Sequence, residues 1–445
     1  MMRLPRIAVG TIQRDADYQA VLWGLVDLLQ NRGLHVQSFL SHARFPQHDG
    51  WAAMTGQSYR HLDSWIMSPD VCREVLYHGA QSSDVAIVEG QFSAACPGSV
   101  PRGSSLDVLC EWLDLPRIVI LDVSQLGKCV LPPRPDKADG LLLNRVASFA
   151  EACHVRTTLE ALWGIPVLGH LEDSKSLRLL VSAIANDRRP SRELCRALGN
   201  RLASRLQLAR LLQIAEQRPF PPVTPCLFRN QRESVPLNIA VAYDEAFSCY
   251  FPDTLDLLEL RGATVRDFSP LRCETLPPDT DVVYLGCGRI EQHAEALASN
   301  HCLKQALRNH VRNRGRVYAE GSAVAYMAQQ MVLPGGRQLP MVGALPAVAT
   351  PNPTPTTSQP IEISLAQHTW LAARSTRLRG YLNSRWQIQS IGPLKSFAQQ
   401  PGHETDLVGR HQVIGSRLHL NFAAQADLLQ SFFQPHATSR LTSVS

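Results

Sequence analysis

The chain has 445 residues, with 44 Lys+Arg against 39 Asp+Glu for a formal net charge of +5, and 44% of its residues are hydrophobic. That length exceeds one ordinary core and predicts two domains or three small ones, while the normal apolar fraction and small net charge exclude a chain dominated by disorder. Basic residues are mixed with acidic ones rather than gathered into one patch, so nucleic acid is not an expected partner. Nor is a membrane, because no run reaches the roughly 18 apolar residues that span a bilayer. Arg3 and Arg6 precede only the short apolar run Ile7-Ala8-Val9, which makes no secretory signal. The 11 cysteines are odd in number and no pair has Cys-x-x-Cys spacing, so they read as buried or free thiols of a cytoplasmic protein.

From the N-terminus, Ile7-Ala8-Val9-Gly10 reads as a strand, and Ala20 to Leu29 as a helix stopped by Arg32-Gly33. Val85 to Val88, Ile118 to Leu121 and Leu141 to Leu143 are continuous aliphatic runs of the kind that buried parallel strands show. Arg188 to Arg218, rich in Leu, Ala and Arg, reads as a solvated amphipathic helix. It leads into Pro219-Phe220-Pro221-Pro222-Val223-Thr224-Pro225, the best domain boundary, since proline removes backbone donors and disfavours helix before it. Ile239 to Val241, Val282 to Leu285 and Val317 to Ala319 repeat the strand pattern beyond it, and Pro351-Asn352-Pro353-Thr354-Pro355 reads as a surface loop. Both halves are therefore expected to be α/β.

The motifs resemble one family along nearly the whole chain, the cobyrinic acid a,c-diamide synthases. Arg32-Gly33-Leu34-His35-Val36-Gln37, His61-Leu62-Asp63-Ser64-Trp65, Ile87-Val88-Glu89-Gly90, Leu143-Asn144-Arg145-Val146 and Gly164-Ile165-Pro166-Val167-Leu168-Gly169 carry the resemblance in the first half. Ala242-Tyr243-Asp244-Glu245-Ala246-Phe247, Tyr284-Leu285-Gly286-Cys287-Gly288, His293-Ala294-Glu295-Ala296-Leu297 and Leu418-His419-Leu420 carry it in the second. Their order and spacing are specific where each alone is weak. The resemblance implies a P-loop-like, dethiobiotin-synthetase-like ATP domain over 1–218, a Pro-rich linker over 219–236, and a domain like class I glutamine amidotransferases, flavodoxin-like in its sheet, over 237–445. It also implies use of ATP, Mg²⁺ and glutamine to amidate carboxylates of a corrinoid or related tetrapyrrole.

The chemistry those sites need is another matter. A phosphate cradle requires glycines for close backbone approach, a lysine for the β/γ charge and a hydroxyl for Mg²⁺. Here Gly10-Thr11 opens the segment, but the lysine position falls on Asp17 or Tyr18, and an aspartate there repels a polyanion. Arg14 is the nearest substitute cation. The family's Lys-Val-Gly-Pro-Asp-Tyr-like segment corresponds to Leu40-Ser41-His42-Ala43-Arg44-Phe45, and the aspartate expected seven residues past Glu89 corresponds to Cys96. Glu89 is left as the one candidate metal ligand, or else as a structural hydrogen-bonding group. Asn144 resembles a base-contacting position of related ATP domains.

In the second half the family's Ala-Glu-Cys-Gly-Gly elbow corresponds to Ala319-Glu320-Gly321-Ser322-Ala323, so Gly321 stands where the nucleophile belongs. Loss of a covalent nucleophile costs on the order of 10⁶ in turnover, although glycine tolerates the strained backbone of an elbow. Ser322 is one position off with its side chain expected elsewhere, Cys287 lies in the turn resembling the oxyanion loop, and neither is expected to restore a Cys–His pair. His419 matches the family histidine, but Asn421 replaces the second histidine of that motif, so His419 reads as a hydrogen-bonded remnant. Three functions follow as expectations: a pseudoenzyme scaffold for a tetrapyrrole, as a homodimer or paired with an active relative; a diverged amidase using free ammonia; and a purely structural subunit.

Overall fold

A computed structural model of the chain describes residues 4–13, 16–43, 58–92, 103–126, 133–184, 191–230, 233, 235–272, 275–353, 359–399 and 407–434. The chain divides into two compact units, Met1–Cys226 and Leu227–Ser445.

The first unit is built on a seven-stranded, all-parallel sheet. Its strands are β1 (Arg6–Thr11), β2 (Val36–Leu40), β3 (Arg60–His61), β4 (Val85–Gln91), β5 (Arg117–Asp122), β6 (Gly140–Val146) and β7 (Val167–Glu172), in the order β3-β2-β4-β1-β5-β6-β7. The aliphatic runs fill these strands, and β1 and β5 are buried at every position because a parallel sheet is covered on both faces. Helix α1 (Gln19–Asn31) follows β1 and is buried nearly all round at Val21, Leu22, Trp23, Leu25, Val26 and Leu29. Burial of each such side chain contributes about 1.5–3 kcal/mol.

What covers α1 corrects one sequence expectation. Arg188 to Arg218 is not one solvated helix, because residues 192–203 and 208–216 form two, with Leu194, Cys195, Leu198 and Leu202 of the first buried. A Cβ added at Gly24 of α1 would stand 3.1 Å from the Leu198 carbonyl, so the two helices cross with backbones nearly touching. Arg192, Arg196 and Arg201 of the first of the two are exposed.

The Pro-rich stretch is bound to the first unit by a buried cation. Arg6 donates to the carbonyls of Arg218 and Pro219 at 3.1 and 3.0 Å, and its guanidinium lies 5.1 Å from the centre of the Phe220 ring. The backbone N–H of Cys226 donates to Glu74 at 2.9 Å, which carries the first unit past the prolines.

In the second unit, parallel strands β8 (Leu237–Ala242), β9 (Ala263–Phe268), β10 (Val282–Leu285) and β11 (Arg316–Glu320) run in the order β9-β8-β10-β11. Residues 413–416 extend that sheet in parallel, followed by 408–410 and 395–396 in antiparallel. Two four-stranded sheets complete the unit, and in one of them residues 377–382 pair antiparallel with 418–419, setting Tyr381 opposite His419. Pro351 closes a strand, while Thr354 and Pro355 of the expected surface loop lie outside the described residues. No helix among the described residues is long and apolar enough to cross a membrane.

Candidate functional site

In open α/β sheets, ligands sit at the carboxyl ends of the strands where the strand order reverses, which in the first unit is the end of β1 between β4 and β5. Gly10 and Thr11 are the last residues of β1, paired with Gly90 and Gln91. Gly10 is packed so tightly on β4 that an added Cβ would meet the Gly90 carbonyl, so it serves the sheet rather than a free loop. Gln13 folds back, its backbone N–H donating to Thr11 Oγ1 at 3.1 Å. Its amide group brackets the Asp122 backbone, donating to the carbonyl at 3.1 Å and accepting from the N–H at 2.7 Å.

Asp17 is one of the two positions, with Tyr18, where the resemblance places the phosphate-facing lysine. Its carboxylate lies 3.6 Å from Arg145, whose other terminal nitrogen lies 3.1 Å from the buried Asp122 carboxylate. Burial pushes Asp17 upward in pKa, against the pull of Arg145. Asn144 donates to the Asp17 carbonyl at 2.6 Å, and Ser124 donates to Asp122 through its N–H and hydroxyl. The adjoining cavity, lined by Asp17, Asn144, Arg145, Glu172, Asp173 and Arg178 among others, holds about 20 Å³, room for a water rather than a nucleotide. Arg145 adopts φ +57°, a left-handed conformation that few non-glycine residues take, and from it spans both carboxylates.

Glu89, in β4, is 7% exposed, and burial pushes its carboxyl up to about 8. Without a cation beside it, the neutral acid is therefore favoured at pH 7. Among the described residues no group of three His, Cys, Asp or Glu is placed to hold a metal ion. Among the described residues, the Asp17 carboxylate is matched by Arg145, and the Asp122 carboxylate by Arg145 and Ser124. Arg14, Arg44, Phe45 and Cys96 lie outside the described residues.

The second site lies at the carboxyl ends of β10 and β11. Gly321 follows β11 with φ +59°, and the short helix Ala323–Met327 begins two residues later, so the strand-turn-helix elbow is intact without its nucleophile. The expectation that no Cys–His pair remains is overturned. Cys287, in the turn after β10, is hydrogen-bonded to the His419 ring, and the carboxylate of Glu320 sits 3.1 Å from His419 Nδ1. Two further groups approach the sulfur: Asn383 Nδ2, 3.4 Å from Sγ and 3.5 Å from His419 Nε2, and the Ser322 hydroxyl at 3.5 Å, with the Ser322 backbone N–H also donating to Sγ. Ser322 does not point elsewhere, since its hydroxyl accepts from the Gly288 N–H at 3.3 Å and donates to the Gly288 carbonyl at 3.1 Å.

His419 is no solitary remnant, because Glu320 fixes its ring from one side and Cys287 meets it on the other. Glu320 is fully buried and is itself held by the Tyr318 hydroxyl at 3.0 Å. Burial opposes charge on both Cys287 and His419, yet each overrides it for the other. The thiol is brought below its usual range, and the imidazole is pushed up to about 10 by Cys287 and Glu320. Both shifts act in the direction of a thiolate facing an imidazolium. Tyr250 anchors the turn by accepting the Gly286 N–H at 2.9 Å and donating to the Ala242 carbonyl, and Cys249 donates its N–H to the Cys287 carbonyl at 2.8 Å.

Glu320 and Asn383 are the members that sequence reading passed over. Glu320 stands next to Gly321 and was within reach of the motif, whereas Asn383 reaches the site only through the pairing of 377–382 with 418–419.

Residues 238–427 match the CobB/CobQ-like glutamine amidotransferase domain. The cobyrinate a,c-diamide synthase of Dehalococcoides mccartyi strain CBDB1 is 27% identical over 458 residues, covering 97% of this chain and 98% of that protein. The synthase of Syntrophotalea carbinolica is 26% identical over the same shares, and that of Salmonella typhimurium is 27% identical over 81% of each chain. The chain is thus a homologue of the cobyrinate a,c-diamide synthases along nearly its whole length, and carries a CobB/CobQ-like glutamine amidotransferase domain in its second half.

Proposed function

We propose that this chain is a cobyrinate a,c-diamide synthase-like protein that does not carry out ATP-driven amidation and serves as a scaffold that binds a carboxylated tetrapyrrole, alone or with a partner chain. The observation that carries this reading is the Asp17–Arg145–Asp122 cluster at the end of β1, where a cradle for phosphates is needed. Opening that cluster to a triphosphate exposes two carboxylates to it and costs the ion pairs that satisfy them. The corrinoid carboxylate named in the relatives' activity supports a tetrapyrrole as ligand, since homology runs over 97% of the chain.

Two titrations on the purified full-length protein test the proposal. Calorimetry with ATP and Mg²⁺ is expected to give no saturable heat, while cobyrinic acid is expected to shift its visible absorption on binding. Saturable nucleotide binding, together with amide formation from cobyrinic acid, ATP and ammonium, refutes the scaffold and establishes a diverged amidase instead. No binding of any corrinoid or porphyrin leaves a purely structural subunit.

A further inference from the structure

We propose that Cys287 is a relocated nucleophile for acyl transfer, taking a small ester or primary amide at the second unit's elbow in place of the nucleophile that Gly321 lacks. The argument begins with space. A Cβ at position 321 would lie 2.8 Å from Cys287 Sγ and 2.9 Å from His419 Cε1. The Cys287 sulfur therefore stands closer to the Cβ place of the elbow than a real Cβ allows, so a side chain at 321 would have to displace it. A side chain on the elbow and the Cys287 thiol in its present place crowd one another.

The groups around the sulfur are those that acyl transfer needs. His419 is in hydrogen-bond contact with the thiol, Glu320 holds Nδ1 at 3.1 Å, and this fixes Nε2 as the nitrogen on the Cys287 side. Asn383 Nδ2 and the Ser322 N–H both donate beside the sulfur, where charge develops on a carbonyl oxygen during attack. Residue Cys287 is 6% exposed, which restricts the substrate to a small acyl group.

The chemistry balances without any further cofactor. The Cys287 sulfur forms a bond to the carbonyl carbon, the bond to the alkoxide or amine breaks, and the leaving group takes a proton from His419. Water, deprotonated by the neutral His419, then adds to the thioester; the C–S bond breaks, releasing the carboxylic acid and restoring the thiolate–imidazolium pair.

This proposal rests on the reading that Gly321 leaves the elbow without its own nucleophile, and it is independent of the closed nucleotide end. An ATP titration that succeeds leaves it standing, and its failure leaves the titration untouched.

The test uses p-nitrophenyl acetate with the full-length protein at pH 7, following p-nitrophenolate release and mapping acetyl groups by mass spectrometry. The expected result is a burst stoichiometric with protein, acetyl on the Cys287 peptide, and slower turnover after it. Cys287→Ser, nearly isosteric, is expected to abolish the burst, and His419→Ala to slow it by about 10²–10⁴-fold, as loss of a general base does. The paired variant Cys287→Gly/Gly321→Cys is expected to move the acetyl group to the elbow peptide, a readout that a merely misfolded single variant does not mimic. Acetyl confined to the exposed Cys153, Cys226 and Cys302, or a burst unchanged in Cys287→Ser, overturns the proposal.

Discussion

Replacing Glu89 by Gln removes a titration that weakens the first unit as pH rises. The side chain is 7% exposed, and burial alone pushes its carboxyl from 4.5 to about 8. The unfolded chain releases that proton near 4.5, whereas the folded chain keeps it to about 8. Between those values the folded state binds more protons, so stability falls with rising pH. The group's contribution is most favourable below the lower value and is fully lost above the upper one. The slope is about 1.4 kcal/mol per pH unit, or about 3 kcal/mol between pH 5 and pH 7. Gln is neutral throughout and nearly the same shape, so the Glu89→Gln variant is expected to gain that much on its parent over this interval. Urea unfolding at several pH values, followed by circular dichroism and tryptophan fluorescence, measures the difference between the two proteins. A difference that stays constant from pH 5 to pH 7 refutes the reasoning, because it means that Glu89 is ionised in the folded chain. Stabilisation of the parent, but not of the variant, by millimolar Mg²⁺ identifies what ionises it.

Arg145→Ala leaves Asp17 and the buried Asp122 facing each other without a cation, and is expected to destabilise the first unit by about 3 kcal/mol; an Asp17→Asn/Arg145→Ala double variant recovers part of the loss in the same urea titration. Gly321→Ala places a methyl group against Cys287 Sγ at a left-handed backbone position, and is expected to cost about 1–3 kcal/mol in thermal unfolding while displacing the thiol from His419. Alkylation of Cys287 by iodoacetamide is expected to set in at lower pH than that of an ordinary thiol, since His419 and Ser322 bring its pKa down, with Glu320, Tyr284, Tyr250 and Cys249 as the other titratable groups around it. In His419→Ala the same rate, read by mass spectrometry, is expected to climb steadily toward the usual thiol range.

Much of the fold is legible in the chain because it is written in local chemistry. A run such as Ile118-Val119-Ile120-Leu121 has no polar face and is stable only when covered on both sides, which specifies a parallel strand within a layered sheet. The Gly33 stop after α1 and the elbow at Gly321 are likewise readable, because positive φ there falls to glycine. The stretch from Arg188 to Arg218 was less legible for the opposite reason: amphipathic spacing tells which face is apolar, but not that Gly24 and Leu198 bring two helices into backbone contact over it. The first unit likewise continues through Cys226, past the prolines that mark a boundary in the chain, because Arg6 reaches the Arg218 and Pro219 carbonyls and the Phe220 ring.

The sites divide along the same line. Which chemical groups are missing is a property of the sequence by itself: a phosphate-facing lysine cannot be read into Asp17, nor a nucleophile into Gly321, whatever the surroundings. What has taken their places is a property of distance between residues far apart in the chain. Arg145 spanning Asp17 and Asp122, and Cys287 meeting His419 while Asn383 closes on both, follow from strand order and register, and these are set by packing across the whole sheet. The sequence determined what each position can offer chemically; only the tertiary structure decided which offers meet, because hydrogen bonds and ion pairs act over about 3–4 Å and no local pattern encodes a separation of 132 residues between Cys287 and His419.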